Sequence, residues 1–327
     1  MGSALATPQF ISAFVSITAD VGLVAVILWR TRGVLNDCPT PVYCLVFFAV
    51  ADVVRCAPFC FPDVSTDDSG SGNAARPSAG CVAQAFCLWF GIEATTLWMM
   101  AFAHAVWARS VTLKPHQSHE VKGVARICCR RRAQQVYHAL CWVFASCTAT
   151  VLAALDLFGT RENGEGNGIQ YCTITKSNIA TIFLLPTQIA LVFNTTCLAH
   201  AQWHIGRVRA RAALLIDADA AARAAQGTRK VRLDFGLYIA VFVLSQTPIA
   251  VFDFLSSDVD FPRWVGEALS ALTLLHGALN VTVFGATLPW MRAAGDEARP
   301  PDGFEVTSLQ LASTVVPTGR ISSPREL

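Results

Sequence analysis

The chain has 327 residues, of which 53% are hydrophobic and only 15% are charged, and its net charge is +2. Soluble domains carry about 25% charged residues, so this composition excludes an ordinary soluble enzyme and favours one membrane-embedded bundle. The small net charge also excludes a protein that binds nucleic acid over its whole length. The 12 cysteines lie mostly inside apolar runs, which predicts buried thiols rather than a secreted disulfide scaffold.

Seven apolar runs follow one another along the chain, each about the length needed to cross a bilayer. Only helices and closed barrels satisfy the backbone in lipid, and these runs are too long for the strands of a barrel. The sequence therefore predicts an all-α membrane protein, a seven-transmembrane helix bundle. The predicted spans are residues 10–29, 41–61, 81–107, 136–158, 177–203, 235–255 and 264–288.

The basic residues fix the predicted orientation of the bundle. Twenty of the 25 Lys and Arg residues follow spans one, three, five and seven, four lie on the opposite side, and Arg55 lies inside span two. By the positive-inside rule, the N-terminus is outside and the C-terminus is inside. The predicted organisation is a short extracellular N-terminus (1–8), a seven-transmembrane domain (9–290) and a disordered, hydroxyl-rich cytoplasmic tail (291–327).

Two cysteines lie on the predicted outer face. Cys81 opens span three, and Cys172 lies in the next outer loop. Because both thiols face an oxidising compartment, we expect a disulfide between them. The alternative is two free thiols.

Three polar residues lie near the predicted membrane midplane, on three different spans. Asp20 and Asp52 each lie about eleven residues into their helices at 1.5 Å per residue, and Asn280 lies slightly further inward. Their oxygens predict either a site for a cation or a shared proton, or a hydrogen-bonded polar cluster that joins the helices. The residues do not decide between these two interpretations.

Five ionisable residues lie in the outer half of the predicted bundle and are candidates for a ligand pocket. Arg55 is the cation among them and is the natural contact for an anionic ligand group or for Glu93. The three others lie near helix ends, where an alternative is that they simply reach the membrane surface. The five candidates are Arg55, Glu93, Asp156, Asp253 and Glu267.

Helices five and six carry a proline each, Pro186 and Pro248, which predict kinks. A kinked helix pair beside a basic inner loop suits an element that swings to expose a groove on the inner face. The alternative for these prolines is a static irregularity of packing, and for the basic residues simple contact with anionic lipid. The residues predicted to face a partner inside the cell are Arg109, Arg130, Arg131, Arg207 and Arg209.

A second class of function, a membrane hydrolase or an ion-conducting protein, rests on the midplane acids and on histidines near the inner ends of spans three and five. His200 and His204 share a helix face, and His104 lies at a similar depth. A zinc site needs three or four ligands, so we predict no metal site, no catalytic residue and no cofactor. All four lysines lie in loops, which excludes the Schiff base of a microbial rhodopsin.

Several short motifs occur along the predicted bundle: Ala51-Asp52, Cys81-Val82-Ala83-Gln84, Trp98, Tyr171-Cys172, Leu275-His276-Gly277-Ala278-Leu279-Asn280 and Phe284-Gly285. Together these motifs resemble the slime-mould cyclic-AMP receptor family of G-protein-coupled receptors, over about residues 9–290. Other motifs depart from the rhodopsin-like family: Ala108-Arg109-Ser110 ends span three, and Asn280 is followed by Val281 rather than proline.

The resemblance implies a multi-pass receptor of the plasma membrane and not an enzyme. Such a receptor binds an extracellular ligand, which the sequence does not identify, and activates a heterotrimeric G protein. Its other partner is the lipid bilayer, and no nucleic acid is expected.

Overall fold

A computed structural model describes residues 8–31, 40–61, 77–112, 123–160, 172–174, 177–213, 237, 240–248, 251 and 262–287. The predicted extracellular N-terminus and the predicted cytoplasmic tail lie outside the described residues, apart from Pro8. So does the ligand-pocket candidate Asp253.

The described chain is almost entirely helical. Five of the described helices are long and apolar enough to cross a membrane. The helices are α1 (Pro8–Arg30), α2 (Thr40–Cys56) with a 3₁₀ turn (Ala57–Cys60) after it, α3 (Ala79–Thr112), α4 (Gly123–Ala154), α5 (Ser177–Ala213), α6 (described over residues 240–248), α7 (Arg263–Leu274) and α8 (His276–Thr287).

Helix α3 forms the centre of the bundle, because it packs against α2, α4 and α5. Small residues let the helices approach, as expected in lipid, where burial of apolar surface does not drive helices together. Ala49, Ala94 and Ala145 are fully buried. Two helices approach closely at Gly91 of α3, where an added methyl group would lie 2.5 Å from the backbone Cα of Arg55 in α2.

Large apolar side chains also cover the outside of the bundle. Phe14 is 58% exposed, Val143 is 60% exposed and Val192 is 67% exposed, on α1, α4 and α5 respectively. A soluble monomer rarely leaves so much apolar surface in contact with water. These side chains therefore mark the surface that faces the lipid tails.

The outer end of α4 differs from the prediction. The helix ends at Ala154, so the predicted extension of the span to Phe158 was wrong. Asp156 turns the chain with a φ of 50°, in the left-handed region that aspartate tolerates. The chain then forms a two-stranded antiparallel hairpin, β1 (Phe158–Thr160) and β2 (Cys172–Ile174), paired from Phe158↔Ile174 to Thr160↔Cys172.

The hairpin is fastened over the outer end of α3, and the predicted disulfide is confirmed: Cys81 is bonded to Cys172. Gln84, one turn further along α3, also holds the hairpin in position through hydrogen bonds. Its amide donates to the carbonyl of Pro58 at 2.9 Å, and its carbonyl accepts from the backbone N–H of Cys172 at 3.1 Å. One buried side chain thus joins the end of α2 to the hairpin.

Predicted spans one, two, three, five and seven agree with the helices within a few residues, except at the inner end of span five, and the inner end of α4 also extends beyond span four. The ends of predicted span six lie outside the described residues. Helix α4 begins at Gly123, and α5 continues to Ala213, as its alanine-rich sequence favours. Pro186 lies inside α5, and Pro248 ends the described stretch of α6. The seventh span is divided between α7 and α8 by a turn at Leu275.

Candidate functional site

The break between α7 and α8 lies beside a group of buried polar side chains, which we call the midplane cluster. The cluster links α1, α2, α6 and α8. Its members are Ser16, Asp20, Asp52, Arg55, Ser245, His276 and Asn280, and all seven are at most 3% exposed.

Asp52 is the centre of the hydrogen bonds in the cluster. Its Oδ1 lies 2.5 Å from Arg55 Nη2, one turn away on α2. Its Oδ2 accepts a hydrogen bond from the hydroxyl of Ser16 on α1 at 3.0 Å, and the thiol of Cys56 lies 3.7 Å away. Asp52 is therefore paired with a cation inside the bundle.

Asp20 lies beside Asp52 but, among the described residues, has no ion pair like the one between Asp52 and Arg55. Its side chain is fully buried, and neither carboxyl oxygen has a hydrogen-bond partner in the structure apart from the carboxyl group of Asp52, which is within reach. Ser16 precedes Asp20 by one helical turn, so the two share a face of α1. The structure thus places the carboxyl groups of Asp20 and Asp52 side by side.

The break in the seventh span is held by side chains from α1 and α2. The carbonyl of Thr273 accepts a hydrogen bond from Arg55 Nη2 at 3.0 Å, and the N–H of Ala278 donates to Ser16 Oγ at 3.1 Å. Helical bonding resumes with Leu279 N–H donating to Leu275 O at 2.9 Å. Freed backbone groups at membrane depth require such partners, since no water is present.

The charged side chains of the cluster lie at the end of α7 and at the start of α8, where the helix dipoles favour them. Arg55 lies at the C-terminal end of α7, where the helix dipole favours a cation. The carboxyl groups of Asp20 and Asp52 lie against Gly277 in the first turn of α8, where the dipole favours an anion. A methyl group on Gly277 would lie 2.5 Å from Asp20 Oδ2 and even closer to Asp52 Oδ2 and Ser16 Oγ. Only glycine fits between these oxygens.

Helix α6 is connected to the cluster through His276. The Asn280 amide donates to His276 Nε2 at 2.9 Å, so Nδ1 carries the proton and donates to Ser245 Oγ at 2.6 Å. Thr273 Oγ1 also donates to the carbonyl of Ser245 at 3.0 Å. The imidazole is thus neutral and fully hydrogen-bonded, and it joins α6 to the break in the seventh span.

The ligand-pocket candidates do not form one group. Arg55 is paired with Asp52 rather than with Glu93, because Asp52 is one turn away on its own helix. Glu93 is fully buried on α3, and neither of its carboxyl oxygens has a hydrogen-bond partner among the described residues. Asp156 is exposed in the turn after α4, and Glu267 is half-buried on α7.

The inner ends of the helices carry hydrogen bonds between histidines and aromatic residues. His104 Nδ1 and the hydroxyl of Tyr137 are 2.6 Å apart, which joins α3 to α4. Trp107 Nε1 donates to His200 Nδ1 at 2.7 Å, which joins α3 to α5. Within the described residues no three metal-binding side chains form a group.

The predicted partner-facing arginines lie on these same inner ends. Arg131 and Arg207 are exposed, and the guanidinium of Arg207 lies 4.7 Å from the ring centre of Trp203. Arg109, Arg130 and Arg209 lie on α3, α4 and α5, and their side chains are outside the described part of the structure. A small cavity of about 10 Å³ lies deeper, between α3, α5 and α6, beside Asn194.

Sequence reasoning missed Ser16, Ser245 and Gly277 as members or neighbours of the cluster. Ser16 had a signal, since it precedes Asp20 by four residues and shares its helix face. Gly277 had a weaker signal, because it is a glycine beside a histidine in the middle of an apolar run. Ser245 had none, because a single serine in a membrane helix is ordinary.

Comparison with known proteins gives a fold similarity. The chain superposes on the crystal structure of squid rhodopsin with a TM-score of 0.64 and 15% sequence identity, over 95% of this chain and 91% of the squid protein. No protein-family model matches the chain, and no curated protein sequence matches it. Together with the apolar spans, the superposition shows that the chain has the seven-helix membrane fold of squid rhodopsin.

Proposed function

We propose that the protein is a G-protein-coupled receptor of the plasma membrane, which transmits an extracellular ligand signal to a heterotrimeric G protein. The observation that carries this proposal is the superposition on squid rhodopsin over 95% of the chain. The disulfide that ties the outer hairpin to α3 supports it, because the hairpin then has a fixed position over the outer end of the bundle. The protein is not an enzyme in this proposal.

The proposed signal passes from the outer half of the bundle to its inner ends. A ligand biases the bundle between two states. Helices α5 and α6 then shift about Pro186 and Pro248, and the inner ends admit a helix of the G protein. The coupling of α6 to the midplane cluster through Ser245 and His276 gives this shift a route to α1 and α2.

The resemblance to the slime-mould cyclic-AMP receptors supports cyclic AMP as the first ligand to test. The buried charged residues favour a different class of ligand. Arg55, the cation expected to hold an anionic group, is already paired with Asp52, whereas the buried carboxyl group of Glu93 has no partner. Such a group favours a ligand that donates a hydrogen bond or carries a positive charge.

The test is guanine-nucleotide exchange on a panel of purified heterotrimeric G proteins, with the receptor in nanodiscs. Cyclic AMP and a set of amines serve as ligands. Increased exchange with cyclic AMP supports the cyclic-AMP-receptor part of the proposal, and increased exchange with an amine supports a receptor of another ligand class. No increase with any ligand or G protein contradicts the receptor proposal.

Two variants sharpen this assay. Arg131→Gln and Arg207→Gln remove exposed charges from the inner ends of α4 and α5, so we expect exchange to fall while ligand binding is kept. Gly22→Ala is the matched control, because a methyl group there meets no atom within 4 Å. Equal exchange by all three variants would place the G-protein contact elsewhere.

A further inference from the structure

The midplane cluster contains two carboxyl groups, those of Asp20 and Asp52, and one cation, Arg55. Both acids are fully buried, and both lie against the first turn of α8. One guanidinium, that of Arg55, lies beside them. If both carboxyl groups were ionised, a net charge of −1 would be buried in the bundle, and an unpaired buried charge strongly destabilises the folded state.

No other titratable group in the cluster supplies the missing charge. His276 of α8 is neutral, because it accepts a hydrogen bond at Nε2 and donates one at Nδ1. Cys56 of α2 contributes a thiol that donates to Asp52. Helix α7 contributes backbone carbonyls to the cluster, and its Glu267 lies near the opposite end of the helix. Glu93 of α3 is an acid and supplies no positive charge.

The geometry points to a proton-binding site, in which Asp20 and Asp52 hold one proton between them. The proton on Asp20 donates to Asp52, which keeps its ion pair with Arg55. Asp20 then has the partner it otherwise lacks, since neither of its oxygens has another. The cluster becomes neutral, and no second carboxylate repels the first.

A proton fits this place better than a metal ion does. The point that is within 2.5 Å of Ser16 Oγ and of both carboxyl groups lies only one C–C bond length from the Cα of Gly277, so the backbone prevents an ion from binding there. The guanidinium of Arg55, 2.5 Å from Asp52, also repels a second cation. The shared proton is therefore part of the structure in which α1, α2 and α8 are packed together.

Infrared spectroscopy of the purified chain tests this site without any ligand or G protein. The C=O stretch of a carboxylic acid is separate from that of a carboxylate, and it shifts in D₂O. Glu93 is also buried, so the measurement is made in a Glu93→Gln background. We expect one carboxylic-acid band at neutral pH, lost in Asp20→Asn and kept in Asp156→Asn, which alters an exposed carboxylate.

Asp20→Asn is expected to fold, because its amide donates to Asp52 as the acid does. If that variant does not fold, the band of the Glu93→Gln chain and its shift in D₂O still decide whether an acid is protonated. Absence of any such band overturns the proposal. Loss of the band when NaCl replaces choline chloride at constant pH overturns it as well, since a sodium ion would then occupy the site.

The pH dependence of unfolding gives a second readout. In the same Glu93→Gln background at neutral pH, the folded chain holds one proton that the unfolded chain, with ordinary carboxylates, has released. Linkage then makes the folding equilibrium constant fall about tenfold for each unit of rising pH. Asp20→Asn should lower this slope by one proton, and an unchanged slope contradicts the shared proton. Neither readout depends on the proposed receptor function.

Discussion

The substitution Gly277→Ala tests the packing of the broken seventh span directly. A methyl group at this position would lie 2.5 Å from Asp20 Oδ2 and even closer to Asp52 Oδ2 and Ser16 Oγ. The three side chains cannot all retreat, because Ser16 bonds both Asp52 and the N–H of Ala278. Overpacking of this kind costs about 1–3 kcal/mol, and a lost hydrogen bond adds about 0.5–1.5 kcal/mol.

We therefore expect Gly277→Ala to lower the free energy of unfolding by about 2–4 kcal/mol. At about 2–4 °C per kcal/mol, the melting midpoint in detergent should fall by about 5–15 °C. Gly22→Ala is the matched control, since it adds the same methyl group to a helix where no atom lies within 4 Å. Its midpoint should stay or rise slightly, because alanine favours the helix. Equal midpoints for the two variants would refute the packing described at the break.

Three further predictions concern stability and use the same melting assay. Gly91→Ala should be at least as damaging as Gly277→Ala, because the added methyl group would meet the backbone of Arg55, which cannot rotate away; a midpoint equal to that of Gly22→Ala contradicts the close approach of α2 and α3. Cys172→Ser breaks the disulfide that closes a loop of 91 residues and should lower the free energy of unfolding by up to about 4–5 kcal/mol. Cys147→Ser is the control, because Cys147 is exposed and free, and its melting midpoint should not change. Arg55→Met leaves Asp52 without its cation and should cost about 3–5 kcal/mol; adding Asp52→Asn should recover part of this loss, and strictly additive costs would show that the two residues do not interact.

The sequence predicted the seven spans because the bilayer sets their length and excludes other backbone structures. It also predicted the disulfide, since the orientation placed Cys81 and Cys172 in the same oxidising compartment. The hairpin after α4 was not predicted. Phe158 is as apolar as the helix before it, and only the left-handed turn at Asp156 separates the two.

The candidate site was predicted in part. Depth along a helix placed Asp20 and Asp52 at one level, but depth does not say which way a side chain turns. The sequence therefore left Arg55 free to serve an outer ligand, whereas it is paired with Asp52 one turn away. The break at Leu275 depends on hydrogen bonds from α1 and α2, residues far away in the sequence. Such contacts are not visible in a local pattern.

The account as a whole depends on the chain crossing the membrane an odd number of times with its N-terminus outside. Epitope tags on the two termini test this directly in cells that express the full chain. We expect antibody to reach the N-terminal tag on intact cells and the C-terminal tag only after the membrane is made permeable. Staining of both tags under the same condition would contradict the topology and, with it, the receptor.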